Sequence, residues 1–170
     1  PLYTMLCAVG FFCTSNEMML SYVLGTVFLL IAATFLFALI RDIFDDWLFA
    51  AGGGALFLLE PRLQWIALSG METTLFIALA LAVWYYYRRR NSLLVGIAAG
   101  LMIWTRPEAL LFLGVIALDT LYHQYIIVKA NPKKKKSSAA AVEGSGWLKH
   151  SLMIVCGFAL GYVLFNLWLS

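Results

Sequence analysis

Long apolar runs are the feature of this sequence that most limits what the chain can fold into. Of its 170 residues, 63% are hydrophobic and 12% are charged, whereas a soluble domain carries roughly 25% charged residues. A run of about 20 apolar residues is long enough to cross the hydrocarbon core of a bilayer as a helix. The sequence therefore predicts an all-α fold, a polytopic transmembrane helical bundle.

Seven apolar segments set the expected number of membrane crossings. The first holds about 13 residues, which is too few to span a bilayer, so we expect a short interfacial helix there. Segment 91–105 is also short, but it can span if Arg90 and Arg106 extend toward opposite headgroup layers. We expect about six spans, and we expect residues 1–170 to form part of one transmembrane domain. The segments are approximately 2–14, 20–40, 47–68, 72–87, 91–105, 107–128 and 148–169.

Basic residues in short loops predict the orientation of the chain, because such loops stay on the cytoplasmic side of the membrane. The sequences RRR at 88–90 and KKKK at 133–136 are both basic. Two expected crossings separate them, so both fit the cytoplasmic face. The loops that then face outward lie near 15–19, 69–72 and 105–108.

Residues 131–146, with the sequence NPKKKKSSAAAVEGSG, form the only hydrophilic linker. Proline, lysine, serine and glycine leave this stretch little to bury, so we expect a mobile cytoplasmic loop. Its lysines could also contact anionic membrane lipid, although orientation alone accounts for them.

Two arginines run against the orientation and are the first candidates for function. Of the 12 lysines and arginines, all but Arg62 and Arg106 fall on the expected cytoplasmic side. Each stands beside a proline and a glutamate, in EPR at 60–62 and RPE at 106–108, and Glu72 lies in another outward loop. Charges at membrane depth cost roughly 3 kcal/mol each on insertion scales and usually face a polar cavity or one another. These residues predict an outward-facing polar pocket.

Arg106 combines two features that favour binding of an anion such as a phosphate. Its planar guanidinium can donate two parallel hydrogen bonds, and Pro107 suits the first turn of a following helix, whose N-terminus attracts anions. Glu72 and Glu108 could orient Arg106, bind a sugar hydroxyl or hold a divalent metal, but carboxylates alone do not predict a metal site. The same charges could instead mark helix ends at the membrane interface.

Other candidate residues have simpler interpretations. Asp119 and His123 are four positions apart on one expected helix face and could relay protons in a transporter, or form a buried hydrogen bond. Cys7, Cys13 and Cys156 lie in apolar segments and are expected to be small buried hydrophobes. No nucleophile elbow, phosphate-binding glycine loop or zinc signature is present, and nothing indicates nucleic-acid binding.

Three stretches are similar to one known family. They are PLYTML at 1–6, EPRLQWIALSGMETTLF at 60–76 and YYYRRRNSLLVGIAAGLMIWTRPEALLFL at 85–113. Together they resemble bacterial integral-membrane glycosyltransferases of the GT-C superfamily, which includes mannosyl- and arabinofuranosyltransferase-like proteins. The combination of S-G-M-E-T, a basic turn and T-R-P-E is the specific part of the likeness.

The resemblance implies a multi-pass enzyme of a bacterial cytoplasmic (inner) membrane. It would transfer a sugar from a polyprenyl-phosphate donor to a lipid, glycan or protein on the extracytoplasmic side. In that family the catalytic acid lies in an outer loop before the stretch similar to PLYTML. We therefore expect the catalytic carboxylates upstream of Pro1, and the present chain to be an inactive piece of a longer protein. The residues expected to bind the donor or its lipid phosphate are Arg106, Glu72, Glu108 and Arg62.

Two functions of other classes stay open at the level of sequence. One is a membrane transporter that uses Asp119 and His123 as a relay. The other is a non-catalytic polytopic subunit of a larger membrane complex, in which membrane protein partners surround the chain and the outer charges pair internally. Loss of transport on Asp119→Asn, with Arg106→Ala harmless, would favour the transporter.

Overall fold

A computed structural model describes the backbone of residues 2–12 and 16–130, with the isolated helical positions Cys156 and Val163. Side chains are described as far as Asp119, and also at Tyr122, Cys156 and Val163. Within these residues there are seven α-helices and no strand, which confirms the all-α prediction. The expected loop 131–146 and nearly all of segment 148–169 lie outside the described residues. The helices are α1 Leu2–Gly10, α2 Glu17–Phe44, α3 Trp47–Leu59, α4 Pro61–Leu68, α5 Thr73–Arg88, α6 Ser92–Thr105 and α7 Ala109–Ala130.

The chain divides into two compact units, 1–89 and 90–170. The first unit contains α1 to α5, and the second contains α6 and α7. Each unit has its own internal contacts.

Helix lengths limit how many membrane crossings the described residues support. Among the described helices, α2 alone is long and apolar enough to cross a membrane by itself. Helices α4 and α5 satisfy the same test only as a pair, and they are bent by 118° at the break between them. Helices α3 and α6 have 13 and 14 residues, or roughly 20 Å each at 1.5 Å per residue. The six-span bundle therefore stays a prediction.

The expected single span 47–68 is two helices, and the one-segment prediction was wrong. Glu60 adopts φ −63° and ψ 112°, which ends α3, and Pro61 occupies the first turn of α4. Proline has no N–H for the helical ladder and disfavours helical geometry in the residue before it. The Gln64 side chain then donates from Nε2 to the carbonyl of Leu58 across this break at 2.8 Å. The prediction of one segment rests on hydropathy averaged across Pro61, whereas the helix is interrupted there.

Helix α2 is the centre of the first unit and packs against α1, α3, α4 and α5. The Asn16 side chain caps its start by accepting from the Met19 N–H at 3.2 Å. Asp45 ends it with φ 53°, donating its N–H to the Arg41 carbonyl at 2.9 Å. The Asp46 carboxylate then accepts from the Leu48 N–H at 2.8 Å and starts α3. A backbone bond at Asp45 and a side-chain cap at Asp46 make this two-residue turn a local property of the sequence.

Contacts at both ends show that α2 and α5 run in the same direction. Ser21, near the start of α2, lies against Gly70, just before α5 begins. Asp42, near the end of α2, pairs with Arg89, just after α5 ends. Ser21 and Asp42 are 21 positions apart, or about 31 Å of helix, which is close to the ~30 Å thickness of a bilayer core. Helices α3 and α4 return the chain between the two ends.

Small residues let the helices of the first unit approach closely. A Cβ added at Gly25 of α2 would overlap the backbone carbonyl of Ala67 in α4. Ala32, Ala33, Ala78 and Ala82 are all buried. This packing follows the rule for membrane helices, where small interfacial residues increase van der Waals contact between backbones.

The outer face of α2 is apolar along its length. Val23, Val27 and Leu30 recur at helical spacing and are each 43–50% exposed. Two threonines on exposed positions bond back to their own helix: Thr26 Oγ1 donates to the Tyr22 carbonyl at 2.7 Å, and Thr34 Oγ1 to the Ile31 carbonyl at 2.7 Å. A hydroxyl that is hydrogen-bonded within its own helix needs no external partner, so it can face hydrocarbon.

The second unit is built on a capped and largely buried α6. Its start is capped by the Asn91 side chain, which accepts from the Leu94 N–H at 3.3 Å. Gly96 and Gly100, predicted from their spacing to allow close helix approach, are both buried. Thr105, at the last turn, is also buried and donates to the Met102 carbonyl at 2.5 Å. Helix α7 packs against α6 within this unit.

Candidate functional site

The turn between α4 and α5 is the first place where sequence-predicted residues come together. The Ser69 N–H donates to the Trp65 carbonyl at 2.9 Å, and its hydroxyl donates to the Ile66 carbonyl at 2.9 Å. Gly70 follows with φ +68°, a backbone conformation that L side chains rarely adopt. These local features end α4 and redirect the chain into α5. The SGMET sequence is therefore a sharp, glycine-dependent break in an otherwise apolar helical region.

This turn is packed against α1 and α2. A Cβ added at Gly70 would lie 3.1 Å from Ser21 Cβ and 4.0 Å from the Tyr3 hydroxyl oxygen. Tyr3 belongs to the PLYTML stretch and Gly70 to the SGMET stretch, so two sequence motifs 67 positions apart meet at one end of α2. We call Tyr3, Ser21, Gly70 and Glu72 the turn site.

The Tyr3 hydroxyl is the polar group at the bottom of the turn site. Its oxygen is buried beside the Ser21 hydroxyl and the Cys7 thiol, and it forms no hydrogen bond of standard geometry with any described residue. Burial raises the pKa of Tyr3 above its ordinary value, and the neighbouring Cys7 adds to the rise. The phenol therefore remains a neutral donor at physiological pH. A buried hydroxyl without a hydrogen bond lowers the stability of the fold. Such a group can gain a hydrogen bond from a ligand that reaches it.

Glu72 and Arg62 lie in the first unit: Arg62 is in the first turn of α4, and Glu72 follows the end of α4. Glu72 is half-buried at the start of α5, where its backbone carbonyl accepts from the Phe76 N–H at 3.0 Å. Arg62 is exposed in the first turn of α4. Roughly 10 Å of helix separates Arg62 from the turn. Glu72 belongs to the turn site, and Arg62 lies at the opposite end of α4.

Arg106 and Glu108 lie in the second unit, at the break between α6 and α7. Arg106 ends α6 in an extended conformation, with φ −145° and ψ 131°, and its N–H donates to the Met102 carbonyl at 3.1 Å. Its carbonyl accepts from the Ala109 N–H at 3.1 Å. Arg106 is half-buried, and Pro107 and Glu108 form an exposed turn before α7 begins. The observed start of α7, at Ala109, lies two residues later than the predicted start at Pro107, a difference within the usual uncertainty of helix ends.

The four predicted site residues are thus divided between the two units, and each lies beside a break between helices. Arg62 follows the break that starts α4, Glu72 precedes α5, and Arg106 and Glu108 lie between α6 and α7. The pocket that would join Arg62, Glu72, Arg106 and Glu108 stays a prediction.

A second polar cluster, which sequence reasoning missed, lies at the other end of the first unit. It surrounds a cleft of about 530 Å³ between the ends of α2 and α5. Its main feature is a two-pronged ion pair: Arg89 donates from Nε and from a terminal nitrogen to the Asp42 carboxylate at 3.2 and 3.1 Å. The Arg89 guanidinium also lies 5.2 Å from the centre of the Tyr85 ring. We call this the inner cleft; it is lined by Phe37, Ala38, Arg41, Asp42, Asp45, Tyr85 and Arg89.

The inner cleft could have been suspected from charge alone. Arg41 and the basic turn at 88–90 are expected on the same, cytoplasmic side, and three aspartates follow Arg41 in the sequence RDIFDD at 41–46. Opposite charges on one side of the membrane favour pairing, but the sequence does not indicate which residues pair. The hydrogen bond to Asp42 raises the pKa of Arg89 above its already high ordinary value, so the guanidinium is charged at every pH at which the protein is folded.

The remaining sequence candidates lie on α7. Asp119 is exposed. His123 is within the helix, but its side chain lies outside the described residues, so the Asp119–His123 relay stays a prediction. Within the part of the chain that the structure describes, no three acidic, histidine or cysteine side chains come together as metal ligands would.

Comparison of this chain with protein-family models, with curated proteins and with solved structures gives no match in any of the three.

Proposed function

We propose that this chain is a segment of an integral-membrane glycosyltransferase of the GT-C type. In this proposal the protein transfers a sugar from a polyprenyl-phosphate donor to an acceptor on the extracytoplasmic side of a bacterial cytoplasmic membrane. The residues assigned to the donor or its phosphate are Arg106, Glu72, Glu108 and Arg62.

The observation that carries the proposal is the contact between Tyr3 and the Gly70 turn. The stretches PLYTML and SGMET were linked only by their joint likeness to one enzyme family. In the fold they approach each other, with the Tyr3 hydroxyl 4.0 Å from the position a Gly70 Cβ would take. Shared function gives two distant motifs a reason to converge, and the buried Tyr3 hydroxyl and half-buried Glu72 supply polar groups there.

Membrane placement is supported by the outer surface of the helices. On α2 the exposed positions carry valine and leucine, and its exposed threonines bond inside the helix. On α3, Leu56 and Leu59 are 73% and 68% exposed. A water-soluble protein seldom leaves so continuous an apolar surface uncovered, whereas lipid covers it without cost.

Arg106 is the residue proposed to hold the donor phosphate. A departing polyprenyl phosphate develops negative charge as the bond to the anomeric carbon breaks, and a fixed cation lowers the free energy of that transition state. Arg106 is held by backbone bonds on both sides, from its N–H and to its carbonyl. Its backbone is therefore fixed although it lies between helices. Glu72 and Glu108 would then accept hydrogen bonds from the sugar hydroxyls.

Binding of polyprenyl phosphate to the full-length protein tests the proposal. Native mass spectrometry would compare the wild type with Arg106→Ala and Arg106→Lys. The matched control is Arg88→Ala, because Arg88 is an exposed arginine at the end of α5 that lies away from Glu72. We expect bound polyprenyl phosphate in the wild type and in Arg88→Ala. We expect loss in Arg106→Ala and partial retention in Arg106→Lys, since lysine keeps the charge without the planar fork.

Equal binding by wild type and Arg106→Ala would remove the phosphate role of Arg106. Absence of binding in every form would overturn the glycosyltransferase proposal. A positive result leads to a sugar-transfer assay on the full-length protein, in which Glu72→Gln is expected to lower the rate without abolishing phosphate binding.

A further inference from the structure

The inner cleft is lined mainly by charged residues, and the proposed sugar transfer leaves it without a role. It has a volume of about 530 Å³, within the range of roughly 300–1,000 Å³ typical of small-molecule sites. It lies at the opposite end of α2 and α5 from the turn site. Under the proposed orientation it therefore faces the cytoplasmic headgroup layer.

Part of the lining of the inner cleft is held by several side-chain contacts. Arg89 is held by two hydrogen bonds to Asp42 and by its approach to the Tyr85 ring. Tyr85 in turn packs against Phe35, with ring centres 5.8 Å apart. Because Asp42 balances the charge of Arg89, this wall of the cleft is polar and close to neutral. The two-pronged bond uses Nε and one terminal nitrogen, which leaves further Arg89 N–H donors for a ligand.

The lining of the inner cleft also carries two further charges of opposite sign. Arg41 and Asp45 both line it, and both are exposed. Within the described part of the chain neither of them forms an ion pair. Asp45 is fixed in a left-handed conformation, with φ 53°, by its N–H bond to the Arg41 carbonyl at 2.9 Å. A cationic and an anionic side chain thus both line the cleft.

From this arrangement we propose that the inner cleft binds the headgroup of a zwitterionic phospholipid with a primary amine, of the phosphatidylethanolamine type. Arg41 and the remaining Arg89 donors bind the phosphate, and Asp45 accepts hydrogen bonds from the ammonium. The proposal rests on the membrane placement argued under Proposed function. It adds a lipid site on the cytoplasmic side, distinct from the donor site.

Two features favour this headgroup over other lipids. Its two charges are complementary to Arg41 and Asp45, whereas a purely anionic headgroup has no cationic group to offer the Asp45 carboxylate. A quaternary amine cannot donate a hydrogen bond to Asp45, and Arg89 already covers the Tyr85 ring that would attract such a cation. Phe37 and Ala38 continue the cleft onto the side of α2, where acyl chains can lie.

Lipid binding by the full-length protein, purified in detergent, tests the inference. Native mass spectrometry would measure binding of phosphatidylethanolamine, phosphatidylglycerol and phosphatidylcholine with identical acyl chains. The variants are Arg41→Gln and Asp45→Asn, with Arg88→Gln as the control because Arg88 is exposed nearby and does not line the cleft. Asparagine tolerates a left-handed conformation, so Asp45→Asn removes the charge and preserves the turn.

We expect the wild type and Arg88→Gln to prefer phosphatidylethanolamine. Arg41→Gln should weaken its binding by about tenfold, the loss typical of one charge-assisted hydrogen bond. Asp45→Asn should abolish the preference over phosphatidylglycerol. If both variants bind all three lipids as the wild type does, the inner-cleft proposal is overturned while polyprenyl-phosphate binding is unaffected. If the full-length protein is recovered in the soluble fraction and not with membranes, the proposed function itself is contradicted.

Discussion

The backbone of α2 at Gly25 touches the backbone of α4 at Ala67 so closely that a single added methyl group would overlap the Ala67 carbonyl. Both residues are buried. Neither partner in this contact is the movable end of a side chain, so the strain of a larger residue can be relieved only by moving a helix. The α2–α4 crossing holds α4 in place, and α4 leads directly into the Gly70 turn.

Replacing Gly25 by alanine should therefore destabilise the first unit. Overpacking of this kind costs about 1–3 kcal/mol, and thermal unfolding of the detergent-solubilised protein would show it as a lower Tm. Gly52→Ala is the matched control, since a Cβ at Gly52 meets nothing within 4 Å. Alanine there gains helix propensity of up to about 1 kcal/mol, so its Tm should stay level or rise. A harmless Gly25→Ala would show that α2 and α4 can separate freely.

Gly70→Ala should loosen the turn site by forcing a side chain into a left-handed conformation. That conformation costs roughly 1–2 kcal/mol in an L residue, and the new methyl would press on Ser21 Cβ at 3.1 Å. We expect a lower Tm together with weaker polyprenyl-phosphate binding. Gly114→Ala, where nothing lies within 4 Å of the added atom, serves as the control. If the two variants behave alike, the turn does not depend on glycine.

The Arg89–Asp42 pair should contribute a coupling free energy between the ends of α2 and α5. This coupling should fall with added salt and should not change at alkaline pH. A double-mutant cycle with Asp42→Asn and Arg89→Gln measures the coupling through thermal stability. The side chains are 27% and 56% exposed, so added salt should weaken it.

The sign of the pH effect follows from the raised pKa of Arg89. A cation with a raised folded-state pKa stabilises the fold at all lower pH values, and the contribution disappears only as pH rises through that pKa. For an arginine this lies beyond the accessible range, so the coupling should be the same at neutral pH and about pH 10. A coupling that falls between those pH values, or one insensitive to salt, would contradict a solvent-screened arginine pair.

If α2 crosses a membrane, residues at its two ends must be accessible from opposite sides. Met18 and Phe44 are 67% and 58% exposed near the start and end of the helix. With the native cysteines replaced by serine, Met18→Cys and Phe44→Cys would be labelled in intact and in opened cells with a membrane-impermeant maleimide. We expect Met18→Cys to react in intact cells and Phe44→Cys only after opening. Labelling of both in intact cells would contradict a crossing between them.

Much of this fold could be predicted locally. The apolar segments predicted the bounds of α2, α5, α6 and α7 to within a few residues. Helix ends are set by nearby residues, such as the capping side chains of Asn16 and Asn91, which act within one turn of the helix. The SGMET and TRPE patterns likewise indicated helix breaks, since glycine and proline act on their own backbone. The same reasoning failed at 47–68. Hydropathy averaged over that segment did not indicate that Pro61 ends one helix and begins α4.

The sequence by itself determined an apolar, helical chain, the places where most of its helices break, and which charges are unusual for their position. Only the tertiary structure decided which breaks meet. Tyr3 reaches Gly70, and Asp42 reaches Arg89 across 47 positions, because α2 and α5 run in the same direction and lie side by side. Small residues contribute to the arrangement: Gly25 lets α2 approach α4, and α4 leads into the turn before α5. Propensity and hydropathy describe each helix alone, whereas helix pairing is set by the shapes of two surfaces together.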